Sequence, residues 1–177
     1  MIPVSRLFEQ KNQIQIYCDM DGVLTHFNAS AKKIGWKGPL PATKPEDKDA
    51  LWKLVINNAE KFWGDMPWTP DGKKLWNFIK PYSPILLTSV ATTLDSKLGR
   101  DGRAGKQRWV RRELGPAWIK NNFIPVSSGG KTKYAKPNAI LIDDYESNID
   151  PFIEAGGQGI VHKNAVDTIR QLKKLLQ

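Results

Sequence analysis

Ile14-Gln15-Ile16-Tyr17-Cys18-Asp19-Met20-Asp21-Gly22-Val23-Leu24 decides how this chain is read. The β-branched and aromatic run predicts a strand over Ile14–Asp19, and Gly22 breaks it. Two carboxylates one residue apart at a strand end repel each other and are costly to remove from water. A fold keeps such a pair to hold a cation, to do acid–base work, or both. The carboxyl ends of strands are also where open α/β sheets bind ligands.

Four further strand-like runs follow at Pro84–Thr88, Phe123–Val126, Ala139–Asp143 and Gly159–His162. Helical patterns separate them at Thr69–Lys80, Lys106–Leu114 and Val166–Leu176, with a short helix started by Asp150-Pro151 and ended by Gly156-Gly157. This alternation predicts an α/β protein with a Rossmann-like, doubly wound parallel sheet. The stretch from about residue 25 to 70 does not alternate. It is rich in Trp and Pro, with one helix expected around Glu46–Ala59 and a return through Phe62-Trp63-Gly64-Asp65-Met66-Pro67-Trp68. An insertion after the first strand accounts for it. The chain is therefore expected to be one domain, with a core at about 10–24 and 71–177 and a small insertion at about 25–70. Asp95–Gly105, with three glycines and mixed charge, reads as a mobile loop.

A second acidic pair, Asp143-Asp144, ends the fourth predicted strand. Strands one and four of such a sheet commonly end side by side, so four carboxylates would converge. Oxygen ligands of this kind suit a hard cation such as Mg²⁺, which keeps several waters and bridges to phosphate. Between the two pairs, Ile85-Leu86-Leu87-Thr88-Ser89 ends a strand in two hydroxyls suited to a phosphate oxygen. Lys106, Lys131 and Lys133 can supply the balancing cation.

Composition narrows the class. The chain has 177 residues, 40% of them apolar, and seven tryptophans, enough for a proper core. No apolar run approaches the ~20 residues of a membrane span, and Met1–Gln10 lacks the apolar centre of a secretory signal. Cys18 is the only cysteine, so neither an internal disulfide nor a cysteine zinc cage can form. A soluble, cytoplasmic protein without a membrane partner is expected. Net charge is +9, and Lys97–Lys136 holds eleven basic residues against Asp101 and Glu113. That stretch is either a solvated helix face or a surface for a phosphorylated or polyanionic partner, nucleic acid included.

In order, the strand ending in Asp19-Met20-Asp21-Gly22, the strand ending in Thr88-Ser89, a lysine, and the strand ending in Asp143-Asp144 resemble the four signature motifs of the haloacid dehalogenase superfamily. Within it the chain looks most like the 5′(3′)-deoxyribonucleotidases and their phage-type relatives. Asp19–Leu24, Phe62-Trp63 with Pro70-Asp71-Gly72, Lys106-Gln107-Arg108-Trp109-Val110 with Leu114-Gly115, and Leu141–Asp144 carry that resemblance. It implies a Mg²⁺-dependent phosphatase working through an aspartyl-phosphate on a small phosphorylated substrate, a nucleotide. Asp19 would be the nucleophile and Asp21 the acid and base. Asp19, the Asp21 carbonyl, Asp143 and Asp144 would serve the metal, and Thr88 and Ser89 would grip the phosphoryl group. Lys133, ten residues before Asp143, fits the family spacing for the third motif; Lys131 is its rival and Lys106 a second lysine near the phosphate.

Trp63 and Trp68 suit either a nucleobase pocket or the core, as do Phe27 and Trp36. Cys18, His26 and His162 read as structural. Two departures from the family, the basic Asp95–Gly105 stretch and Thr88-Ser89-Val90 without a following proline, both touch the substrate side. The basic stretch keeps a polynucleotide end-phosphatase as an alternative. A binding protein that retains the fold without catalysis is a second. Sequence is silent on oligomeric state.

Overall fold

The computed structural model describes residues 14–90 and 93–177. Strands β1 (Gln15–Cys18), β2 (Ile85–Ser89), β3 (Phe123–Val126), β4 (Ala139–Asp143) and β5 (Gln158–Val161) form one parallel sheet in the order β3-β2-β1-β4-β5. All five predicted strands are present. β4 is buried along its whole length, as expected of a strand covered on both faces of a parallel sheet. Alternation sends Ile16, Cys18, Leu86, Ile140 and Ile142 into one core layer. Tyr17, Leu87 and Leu141 enter the other, with Ile149 and Phe152.

Register does the positioning. Cys18 is paired with Leu86 on one side and with Ile142 on the other. The Asp19 amide donates to the Ile142 carbonyl at 2.9 Å. Asp19 and Asp143 therefore leave neighbouring central strands at one level. The sequence order changes direction beside β1, so the strand ends there open into a crevice.

Between β1 and β2 the chain forms α1 (Phe27–Lys33), α2 (Pro45–Asn57), α3 (Ala59–Gly64) and α4 (Gly72–Ile79). Three helices thus lie in the insertion where one was expected, because Phe27 and Phe62 each anchor a short helix in the core, 5.1 Å apart edge to face. The expected core boundary at residue 10 and the reading of Met1–Gln10 fall outside the described residues. Beyond β2 come α5 (Lys97–Glu113), α6 (Pro116–Asn121), a 3₁₀ turn over Gly130–Tyr134, α7 (Glu146–Glu154) and α8 (Ala165–Leu175). No described helix is long and apolar enough to cross a membrane.

Two expectations need correction. Asp95–Gly105 is not a loop: α5 begins at Lys97 behind Ser96, whose hydroxyl accepts the Gly99 amide at 2.9 Å. Its glycines recur every third residue on the buried side, where Gly105 meets the backbone of Glu60 and Gly64, and Gly102 meets the Trp63 ring. They weaken the isolated helix but let α3 lie directly against α5. The second correction concerns Asp150-Pro151, which does not start α7. The helix begins four residues earlier, where the Asp143 carboxylate accepts the Tyr145 amide at 2.9 Å and the Asn148 side-chain amide at 3.1 Å. Pro151 consequently lies inside the helix.

Candidate active site

Asp19, Asp21, Thr88, Ser89, Asp143 and Asp144 meet at the carboxyl ends of β1, β2 and β4, joined by one lysine from the 3₁₀ turn and one from α5. Asp19 and Asp143 are buried, and Lys131 stands between them. Its ammonium lies 2.8 Å from Asp19 Oδ1 and 2.5 Å from Asp143 Oδ2. Burial works against that ammonium, but the two carboxylates outweigh it and hold Lys131 above the usual lysine value. The Lys131–Asp143 contact is an aligned hydrogen bond. The approach to Asp19 is a charge contact without that alignment, and it leaves Asp19 Oδ1 without a hydrogen-bond partner.

Asp21 is more open, its side chain about a quarter exposed. One of its oxygens takes the Thr25 hydroxyl at 2.9 Å, and the other lies 2.8 Å from the Lys106 ammonium. Lys106 is buried and spends its remaining donors on Thr88 Oγ1 at 2.7 Å and the Ser89 carbonyl at 2.8 Å. A fully buried ammonium is tolerable because it gives two hydrogen bonds and lies against the Asp21 carboxylate.

Asp144 closes the group. Burial first, then the negative charge of Asp19 and Asp143, pushes its carboxyl up to about 8. Burial and then Asp19 raise Asp143 as well, with Lys131 opposing them. Carboxylate oxygens of Asp19, Asp143 and Asp144 lie within 4.8 Å of one another. Asp19 Oδ1 and Asp144 Oδ1 are both buried without a hydrogen-bond partner among the described residues. Asp144 Oδ1 has no ion pair among them either, and an unpartnered oxygen in an all-carboxylate set fits a hard divalent cation. Gly22 contributes through what it lacks: at φ +82° its missing Cβ would occupy the place of the Asp144 carboxylate.

Several expected residues go elsewhere. Lys133 is exposed, and it is Lys131 that reaches the carboxylates. In a 3₁₀ turn residues two apart point about 240° apart, so only one of the two lysines can face the site. Trp63 is 3% exposed and packs on Phe62 and under α5, so its ring is core and not open to a substrate base. The Asp21 side chain faces Lys106 and lies outside the three-carboxylate group. Burial, then Asp19, pushes the Cys18 thiol up and makes it a poor nucleophile. His162 is buried with Nδ1 2.8 Å from the Thr168 hydroxyl. His26 is half-buried beside α1.

Two residues of the site went unremarked in the sequence. Thr25 holds Asp21, and Asn148 spans both oxygens of Asp143 at 3.1 Å. Their spacings, four beyond Asp21 and five beyond Asp143, were the available signal. The basic stretch is partly consumed locally. Lys106 and Lys131 turn into the site, Arg108 pairs with Glu60 and Asp65, and Arg112 pairs with Glu113.

No protein-family model matches the chain, and no curated protein matches it. Solved structures do. A haloacid dehalogenase-like family hydrolase from Streptococcus pneumoniae superposes with a TM-score of 0.55 at 12% identity, covering 94% of this chain and 100% of that one. A hydrolase from Streptococcus pneumoniae TIGR4 gives 0.54 at 12% identity over 91% and 99% of the two chains. A haloacid dehalogenase family hydrolase from Deinococcus radiodurans R1, solved with bound phosphate and sodium, gives 0.53 at 10% identity over 91% and 88%. The architecture is the Rossmann-like fold of that group.

Proposed function

We propose that this chain is a Mg²⁺-dependent phosphatase that hydrolyses phosphate monoesters through an aspartyl-phosphate on Asp19, with nucleoside monophosphates as its substrates. One observation carries the reading: two carboxylates of one strand end, each against its own buried lysine, with Lys106 also donating to Thr88 of β2. Fold-level likeness and the order of the four motifs support it.

A Asp19 oxygen attacks phosphorus, and the bond from phosphorus to the ester oxygen breaks. Asp21 as its acid form gives a proton to that leaving oxygen. Lys106 touches both Asp21 and Thr88, so a phosphoryl group gripped by Thr88 and Ser89 takes a share of its charge. In the second half, Asp21 takes a proton from water as its oxygen attacks phosphorus, and Asp19 leaves as carboxylate. Lys131 keeps Asp19 and Asp143 in place through both halves. Asp19, Asp143, Asp144 and the Asp21 carbonyl would hold Mg²⁺, which when bound would supply the positive charge that lets an anionic carboxylate approach an anionic phosphate. The inserted helices α1–α3 serve as the cap. Trp63 is unavailable to a base, since its ring is buried in the core.

The test is a Mg²⁺ phosphatase screen over nucleoside monophosphates and 3′- and 5′-phosphorylated oligonucleotides, with wild type and Asp19→Asn in parallel. Turnover of mononucleotides, lost by about 10³-fold or more in the variant, is expected. Turnover confined to oligonucleotides would replace the substrate class. Activity unchanged in Asp19→Asn, or none on any phosphate ester, would overturn the enzyme.

A further inference from the structure

The groove between α1 and α3 holds a cavity of about 180 Å³, lined by Ser30, Lys33, Ile34, Asn58, Lys61, Phe62 and Asp65. It is smaller than the ~300–1,000 Å³ sites that take drug-sized molecules. Ser30 is 3% exposed, and its hydroxyl has no hydrogen-bond partner among the described residues. A helical serine can return its hydroxyl to the preceding turn; this one does not, and Ser30 lines the cavity. Lys33 and Lys61 are exposed beside it, and neither has an ion-pair partner among the described residues. The carboxylate at the rim, Asp65, is already engaged by Arg108 at 3.2 Å and Arg112 at 3.8 Å. Asn58 gives its side-chain amide to the Leu54 carbonyl. Two lysines without ion pairs and one serine with an unpartnered hydroxyl therefore line a small space together with Ile34 and Phe62.

We infer that this groove binds the phosphate group of a small molecule at a site separate from the carboxylate cluster. Donors from three residues match an oxyanion with three or more acceptor oxygens better than a two-oxygen carboxylate. The wall of Ile34 and Phe62 suits an organic body on that phosphate, and free phosphate would leave it bare. The inference stands independently of the phosphatase reading. It would couple to the site, however. α1 begins just after Thr25, which holds Asp21, and α3 lies on α5 next to Lys106.

Amide chemical shifts of the full chain, titrated without divalent metal, test it. Inorganic phosphate and glycerol 3-phosphate are added separately. Saturable shifts at Ser30, Lys33 and Lys61 are expected with both, and tighter binding of the ester would assign the apolar wall to an organic ligand. Lys33→Ala/Lys61→Ala should abolish those shifts while leaving any at Thr88 and Lys131. Ser30→Ala should weaken binding roughly tenfold without lowering the melting temperature, since the hydroxyl bonds nothing in the fold. The proposal fails if the Ser30 and Lys61 amides do not move, which would make the groove a water cavity. It also fails if the lysine double variant binds as wild type does.

Discussion

Lys131 and Lys133 look alike in sequence, and the fold separates them completely. Removing Lys131 strands two buried carboxylates, and breaking one partner of such a group costs about 3–5 kcal/mol. Lys131→Ala should therefore lose stability on that scale in urea unfolding and lose phosphatase activity, whereas Lys133→Ala should stay within about 0.5 kcal/mol. Equal effects of the two would mean that Lys131 is not the residue between Asp19 and Asp143. His162 offers a second measurable consequence. Burial holds its ring below the ordinary value of 6.5, with Asp71 opposing weakly. As pH falls through about 6.5 the unfolded chain takes up a proton that the folded one resists. The contribution of His162 is thus present above that pH and fades below it. His162→Gln should flatten the fall in unfolding free energy between about pH 7 and pH 5. A variant curve parallel to wild type would show that the ring does not sense its burial.

The element that departs most from its sequence reading is α5. Glycine every third residue signals a loop when propensity alone is weighed, because each costs up to ~1 kcal/mol against alanine in a helix. Here the same glycines are the contact surface for α3. Their fates under substitution should differ. A Cβ at Gly102 would meet the Trp63 ring at 3.4 Å, an ordinary contact. Gly102→Ala should be neutral or gain up to ~1 kcal/mol. A Cβ at Gly105 would run into the Glu60 carbonyl and reach the Gly64 amide nitrogen at 3.0 Å. Gly105→Ala should lose about 1–3 kcal/mol. It should also lose activity, since the next residue is Lys106. Matched melting temperatures for the two variants would contradict the packing of α3 on α5. The Trp109 indole, donating to the Met66 carbonyl at 2.9 Å, and the Trp68 indole, donating to Glu113 at 2.8 Å, fasten the same interface. Phe62 and Trp63 were readable as an aromatic pair near the site, but which way each ring points follows from this contact.

Across the protein, the parallel sheet gathers four carboxylates at one end, and Lys106 and Lys131 pair with three of them. Mg²⁺ at 100 times its dissociation constant should stabilise the fold by about 2.7 kcal/mol, seen as a rise in melting temperature that chelation reverses. Asp144→Asn should shrink that rise. An identical shift in the variant, or none in wild type, would exclude the three-carboxylate group as the metal site. The five strands, the two acidic pairs and the terminal hydroxyls were legible in the chain. Buried parallel strands are near-continuous apolar runs, and charge at their ends is too costly to be incidental. These are local properties, written wherever the strand is written. The reading of Asp19-x-Asp21 as a site drew on the second acidic pair, the strand-end hydroxyls and the order of the motifs. What tertiary structure decided was direction: which of two lysines faces Asp19, that Trp63 is core, and that much of a basic stretch is paired internally. It also turned a glycine-rich segment into a helix face. Those outcomes depend on which surface each side chain presents after distant elements pack, and residues 40 or more apart in sequence carry no local trace of that contact.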